Sequence, residues 1–439
     1  MNSSHAQNIS SLADAERADA EDPTRNFRAH FHFPRPSNEM DIIYFTGNSL
    51  GLQPRKARAY VEQELEDWAR LAVDAHLHAK NPWLPYHEFL TEQMAAIVGA
   101  KPIETVVMNS LTVNLHLMMV SFYRPTKERY KIVIEKGAFP SDQYAVESQI
   151  AVWSSAFRRL STTNEPAKAG TQSLIELTPR EGESTLRTED IVETIEREGD
   201  SIALILLGGV NYYTGQAFDL RTITEAGHRK GCVVGFDLAH AAGNLELKMH
   251  DWDIDFAVWC SYKYLNGGPG AVGGAFVHER HAHSFDLPRF AGWWGHDKET
   301  RFLMGPEFKP LEGAEGWQIS NPPILQMAAL RASLEIFEEA GMSVLRAKSE
   351  KLTGYLEFLI DQIGDERISI VTPRDSAQRG CQLSIRVKNA GRSLHEQIVA
   401  RGVYADWREP DVIRVAPVPL YNSFTDVYKF AEILRECLN

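Results

Sequence analysis

The sequence predicts an α/β fold: a large domain on a mostly parallel sheet flanked by helices, followed by a smaller α+β domain. Three observations predict it. Short β-branched runs alternate with amphipathic stretches between Thr105 and Tyr262, the pattern of strands joined by crossover helices. The strand-like runs are apolar almost throughout, as in IALILLGGV (202–210), which marks strands covered on both faces. At Asn321-Pro322-Pro323 the alternation stops and two long helical stretches follow. A chain of 439 residues is also too long for one ordinary domain.

The elements follow in order. Residues 1–22 are polar and rich in Ala, Ser, Asp and Glu, so they are expected to be disordered or loosely held. Residues 23–60 are read as a segment packing with the small domain, 61–321 as the large domain and 322–439 as the small one. TVVMNSLTVNLHLMMV (105–120) reads as strand, turn and helix, and YKIVIEK (130–136) as a strand. EDIVETIEREG (189–199) has helical periodicity, with Thr188 placed to cap it. LRTITEAGHRKG (220–231) is a helix ending in glycine. VVGFDLAH (233–240) and DFAVWCSY (255–262) are strands that run into turns. In the second domain, 324–341 and 342–363 are helices, CQLSIRVK (381–388) is a strand, and a helix near 393–401, IRVAPVPLY (413–421) and a terminal helix complete it.

Composition narrows the function. A net charge of −13 argues against broad binding to nucleic acid or to an anionic membrane surface. The four cysteines, Cys232, Cys260, Cys381 and Cys437, form no CxxC pair, so neither a disulfide framework nor a zinc or other metal site is indicated. The N-terminus lacks the apolar stretch of a signal peptide and no run is long enough to span a bilayer. A cytoplasmic protein acting on a small molecule is the expectation.

In an open parallel sheet, ligands bind beyond the carboxyl ends of the strands. One strand ends in Asp237, with His240 three residues on; the next ends in Tyr262 and Lys263, before the loop Gly267-Gly268-Pro269-Gly270. Asn109, Ser110 and Thr112 stand at a strand-to-helix turn, where backbone N–H groups and hydroxyls suit a phosphate. Phe139 lies beside the same crevice, and Ser141 and Asp142 open the next helix. Pyridoxal phosphate (PLP) needs a lysine amine, a carboxylate for its ring nitrogen, a helix N-terminus for its phosphate and an aromatic ring to stack on. Lys263, Asp237, Ser110 with Thr112, and Phe139 fill those roles. Each has an ordinary structural reading: a solvated lysine, a capping aspartate, capping hydroxyls and a core phenylalanine. The rival is a nucleotide-binding α/β domain, which is short of support because neither GxGxxG nor GxxxxGK[ST] occurs.

The wording of longer segments goes further. YFTGNSLGLQPR (44–55), NSLTVNLH (109–116), AFPSDQYAVESQ (138–149), YYTGQAFDL (212–220), GFDLAHAAGNLEL (235–247), HDWDIDFAVWCSYKYLNGGPG (250–270), FAGWWGH (290–296), ISNPPILQ (319–326) and RVAPVPLYNSF (414–424) occur in this order. Together they resemble the kynureninase family of PLP fold-type-I, aspartate aminotransferase-like enzymes, from about Phe31 onward.

The resemblance implies hydrolysis of L-kynurenine or its 3-hydroxy derivative to L-alanine and an anthranilate, a step of tryptophan catabolism. It implies that Lys263 is the Schiff-base lysine and Cα base, and that Asp237 pairs with the ring nitrogen. It further implies that Leu111, Thr112, Phe139, Ser141 and Asp142 cradle phosphate and ring, and that His240 and Tyr262 touch the cofactor. Tyr262, phenolic and adjacent to Lys263, is the leading candidate for proton delivery, its alternative being a purely structural phosphate contact. Trp293 and Asn321 match positions that complete the site across a homodimer interface, and Arg414 matches the arginine for the substrate's α-carboxylate. Lys263 is expected to have a cationic neighbour that lowers its pKa. Gly208 departs from the family pattern, which has a small hydroxyl residue there; its loss is expected to weaken one cofactor contact without removing activity. His76, Ser320 and Asn321 resemble the polar set of animal-type members that favour 3-hydroxykynurenine. Two rivals stand beside this reading: a cysteine desulfurase or aminotransferase of the same fold, and a catalytically silent relative acting as a binding protein.

Overall fold

In a computed structural model, the structure describes residues 11–35, 41–160, 173–389 and 391–439. The larger sheet has seven strands in the order Thr105–Val107, Gly274–Val277, Phe256–Trp259, Val233–Asp237, Ile202–Gly208, Lys131–Glu135 and Leu174–Leu177. Gly274–Val277 runs antiparallel to both neighbours and the other pairings are parallel. That strand escapes the sequence pattern because four residues after a glycine-rich loop carry too little periodicity. Strand residues 202–207 are all buried, as two-sided helix cover requires. Burying each of these large aliphatic side chains is worth roughly 1.5–3 kcal/mol.

The helices Leu111–Phe122, Pro140–Leu160, Thr188–Glu198 and Leu220–Arg229 are the crossovers. Thr188 is the first residue of its helix and not the cap; Arg187 holds the cap position without a side-chain bond. Asp219 caps Leu220–Arg229 by accepting the Thr222 N–H at 3.0 Å.

The smaller sheet is antiparallel, in the order Ile368–Ile370, Leu383–Val387, Val412–Val415, Asp406–Arg408. Helices Met342–Ile363, Gly391–Ala400 and Phe424–Leu438 cover it, with Leu352, Leu356, Ile398, Phe430 and Leu434 buried in its core. The helix Ile324–Ala340, expected in this domain, packs instead with Arg55–Leu71, and its buried Met327, Leu330, Leu334 and Phe337 belong to the larger core. The change of core therefore comes inside the helix Met342–Ile363, later than the boundary expected at 321/322. Ile43 and Phe45, from the segment before residue 60, join the smaller core, and Ile43–Tyr44 pairs in parallel with Val403–Tyr404.

Residues 11–22, expected to be loosely held, form a fixed element. Leu12–Glu21 is a helix with a capping box between Ser11 and Asp14, an arrangement worth about 1 kcal/mol. Its Asp19 accepts the N–H groups of Phe424 and Thr425, so it caps the terminal helix. Asp22 pairs with buried Lys348 at 2.7 Å. The polarity that reads as disorder is spent on these contacts. Residues 1–10 lie outside the described residues. Among the described residues, no helix is long and apolar enough to cross a membrane.

Candidate active site

The carboxyl ends of the central strands open into one cavity. Its lining includes Leu111, Thr112, Phe139, Ser141, Asp142, Asp237, His240, Tyr262 and Lys263, so ten of the sequence-derived residues, counting Ser110, converge there. The lysine is held by close backbone packing. The Gly51 N–H donates to the Tyr262 carbonyl at 2.8 Å. A Cβ on Gly51 would lie 2.4 Å from the Lys263 carbonyl oxygen, so only glycine lets this strap press on the lysine turn.

Lys263 is buried, and its Nζ donates to His240 Nε2 at 3.0 Å. Burial, then the charges of Lys263 and Arg414, push the His240 pKa well below its usual range. The lysine's neighbour is thus a neutral ring and not the cation expected. The other ring nitrogen, Nδ1, is buried without a partner. Asp237 accepts the Ala239 N–H at 2.7 Å and a hydrogen bond from Asp142. Burial pushes both carboxyls up, and Asp142 is raised further by the neighbouring charge of Asp237. Asp142 therefore keeps the shared proton and Asp237 is the carboxylate. Asp142 Oδ1 is buried and unpartnered.

Two helix N-termini meet across the cavity: Thr112 Oγ1 lies 2.8 Å from Ser141 Oγ, each in the first turn of its helix. Their free N–H groups and dipoles make an anion cradle. The Phe139 ring sits 5.7 Å from Lys263 Nζ and edge-on to Tyr212 at 5.2 Å. Burial raises the Tyr262 pKa, and the Cys260 thiol, its hydrogen-bond partner, raises it further.

Arg414 is buried behind Tyr212, donating to its carbonyl at 2.6 Å. It also bonds Asp406 and, at 3.3 Å, Ser49 Oγ, while its Nε has no partner. Besides Arg414, which stands behind its lining, Asn109, Ser320, Asn321, His76 and Trp293 lie outside the lysine cavity. Ser320 and Asn321 line an adjoining cavity that shares Ser110. His76 packs its ring on Trp83 at 5.4 Å and bonds the Val73 carbonyl at 2.9 Å. Trp293 is 42 % exposed, with its ring against Phe302 at 5.5 Å. Neither His76 nor Trp293 is among the residues that line the cavity around Lys263.

Several residues of the site escape the sequence reading. Tyr212 and Cys260 line or brace it, and Ser49 and Asp406 hold Arg414. Glu135 ends a further strand in the same cavity, beside Gly208, the position singled out for its departure from the family pattern; the same strand-end position that marks Asp237 marks Glu135.

Comparison with known proteins places the chain. It is 62 % identical to the kynureninase of Myxococcus xanthus over 421 residues, 96 % of each chain. It is 63 % identical to that of Koribacter versatilis and 53 % identical to that of Flavobacterium psychrophilum, again over 96 % of this chain and 96–97 % of theirs. The chain belongs to the kynureninase family. Residues 345–434 also match the model of the kynureninase C-terminal domain, which begins close to the change of core. Solved structures share the fold at low identity. The cysteine desulfurase CsdA of Escherichia coli aligns with a TM-score of 0.73 at 16 % identity, over 94 % of this chain and 98 % of that one. C-DES with glycine covalently linked to its PLP cofactor aligns at 0.72 and 15 %, over 90 % and 96 %. The chain thus has the PLP fold-type-I architecture that the family resemblance implied.

Proposed function

We propose that this protein is a PLP-dependent kynureninase that hydrolyses the Cβ–Cγ bond of L-kynurenine or L-3-hydroxykynurenine, releasing L-alanine and the corresponding anthranilate. One observation carries the reading: Lys263, neutral His240 and the carboxylate of Asp237 meet in a single cavity, in a chain with over 60 % identity to kynureninases.

The cavity fits the cofactor. Lys263 offers an amine for its aldehyde, Asp237 a carboxylate for its ring nitrogen, Phe139 a ring face, and the helix starts at Leu111 and Pro140 an anion cradle. The unpartnered His240 Nδ1 and Asp142 Oδ1 are buried polar atoms that lack a ligand's hydrogen bonds. When bound, PLP supplies an electron sink for bonds to the substrate's Cα.

The protein's own groups do the rest. Arg414 takes the substrate's α-carboxylate with a charge-assisted hydrogen bond; its buried Nε, which has no partner within the protein, supports that role. Lys263, released from the cofactor, moves the Cα proton, with His240 holding its amine in line. Tyr262 keeps its proton at neutral pH, because its pKa is raised, and so serves as a donor to Cβ. Water is the second reactant; its oxygen ends in the anthranilate carboxylate.

The site is completed by a second copy of the chain. Exposed Trp293, Phe290 and Phe302, together with exposed Tyr144, support an apolar contact of that kind. Asn321, Ser320 and His76 then face the substrate's ring from that side, with a preference for 3-hydroxykynurenine.

A desulfurase would need a reactive thiol. Cys260 is buried against Tyr262 with its pKa pushed up, and Cys381 is pushed up to about 12, so neither is a nucleophile at neutral pH. Purified protein incubated with kynurenine, 3-hydroxykynurenine or cysteine decides the matter. Stoichiometric alanine and anthranilate are expected from the kynurenines alone. Alanine with sulfide from cysteine, and none from kynurenine, would overturn the assignment.

A further inference from the structure

Three adjacent strands, Lys131–Glu135, Ile202–Gly208 and Val233–Asp237, end side by side at the lysine cavity. Their last residues are Glu135, Gly208 and Asp237, so a glycine separates two buried carboxyl groups. Gly208 pairs in register with Asp237. A Cβ on residue 208 would stand 3.1 Å from Glu135 Oε1. Without it, the Glu135 side chain leans across and accepts the Gly208 N–H at 3.2 Å, and Asn211 donates to it as well. The next amide, Gly209 N–H, donates to the Asp237 main-chain carbonyl at 2.7 Å. Glu135 is therefore bound to the strand end that holds Asp237, and it lines the cavity itself. The titratable groups facing it are Asp237 and, from the helix Pro140–Leu160, Asp142; Lys263 faces both of those acids.

We propose that Glu135 is a positioning residue for the cofactor, setting the charge around Asp237 and, through it, the protonation of the ring that Asp237 holds. The inference rests on the PLP reading above. Burial pushes the Glu135 carboxyl up to about 7, with the charge of Asp237 acting in the same direction. In the PLP-free protein it therefore changes charge near neutral pH, and a carboxylate and a cationic ring placed together each favour the other's charged form. A purely structural glutamate would do no more than accept the Gly208 N–H. Glutamine keeps that acceptor and removes the charge, so the two roles separate.

The test is the absorbance of bound PLP, titrated from about pH 5 to 9 in the wild type, Glu135→Gln and Glu135→Ala holoenzymes, with PLP affinity measured in parallel. Wild type and Glu135→Gln are expected to coincide at the acid end, where both side chains are neutral. They should diverge at the alkaline end, the variant's spectral transition falling about half a pH unit lower. Glu135→Ala is expected to lose about tenfold in PLP affinity throughout, since the Gly208 N–H is left without its acceptor. Superimposed wild-type and Glu135→Gln curves, or a constant offset between them, would overturn the proposal while leaving the PLP reading standing. A wild-type protein that binds no PLP would overturn both.

Discussion

Lys263 Nζ and His240 Nε2 stand 3.0 Å apart, in the turns that leave two neighbouring parallel strands. The imidazole is neutral, because burial and the nearby Lys263 and Arg414 charges suppress its protonation. The amine therefore donates to Nε2, and the ring's own proton is on Nδ1.

Lys263→Ala removes this donor and the only amine in the lining of the cavity among the described residues. Turnover of kynurenine is expected to fall by at least about 10³-fold, with an unchanged circular dichroism spectrum. His240→Gln should be milder, because a hydrogen-bonding neighbour for Lys263 persists. A Lys263→Ala enzyme with near wild-type turnover would remove the central assignment.

Arg414 and Asp237 should separate by kinetic parameter. Losing a charge-assisted bond to the substrate costs about 1.5–3 kcal/mol, so Arg414→Ala should raise KM by roughly one to two orders of magnitude. Asp406→Asn, which loosens the hold on Arg414, should raise KM severalfold with kcat little changed. Asp237→Asn should lower kcat more than it alters KM. The reverse pattern in steady-state measurements would contradict both roles.

The acid cluster predicts a pH dependence of stability in the PLP-free protein. Glu135 has a folded pKa of about 7, above its ordinary value of 4.5. A raised folded pKa contributes stability that is complete below the ordinary value and lost as pH rises through the folded one. The loss amounts to about 3 kcal/mol between pH 5 and 8. Glu135→Gln does not titrate. Across that window the wild type should lose a few °C of Tm relative to Glu135→Gln. A Tm difference that stays constant from pH 5 to 8 would show that Glu135 is ionised, or neutral, throughout.

Substrate choice tests the second copy's contribution. Polar groups provided for a ring hydroxyl are left unpaired when the hydroxyl is missing. The kcat/KM for 3-hydroxykynurenine is therefore expected to exceed that for kynurenine by about tenfold or more. His76→Trp combined with Asn321→Thr should narrow or invert the ratio. Because His76 is not in the lining of the lysine cavity of the single chain, the effect should also depend on dimer formation, checked by sedimentation at the assay concentration. Equal kcat/KM values in the wild type would remove this preference.

Much of the fold was legible because helix and strand periods are local. The apolar runs at 202–210 and 233–237 and the long helices after Pro323 each declare burial within a few residues. Asp237 and Lys263 were legible for a related reason: each closes an apolar run, and a parallel sheet puts its ligands at such ends. The first helix was not legible. Its polar residues look unstructured until Asp19 reaches the N–H groups of Phe424 and Thr425, and Asp22 reaches Lys348. The boundary at 321/322 failed similarly, since periodicity shows that Ile324–Ala340 has a buried face and not which core receives it.

The sequence by itself determined the strand and helix alternation, the family likeness and the identity of the lysine, carboxylate and helix starts that could serve a cofactor. The tertiary structure alone decided which groups act together. Strand Ile202–Gly208 inserts between Lys131–Glu135 and Val233–Asp237, so Glu135 comes to lean over Gly208 beside Asp237. Ser49 meets Arg414 across 365 residues of chain. Burial patterns report the surroundings of a segment along the chain. Strand order and long-range pairing are set by how the segments pack against each other, and it is packing that fixes the distances and shared charge on which the site's chemistry depends.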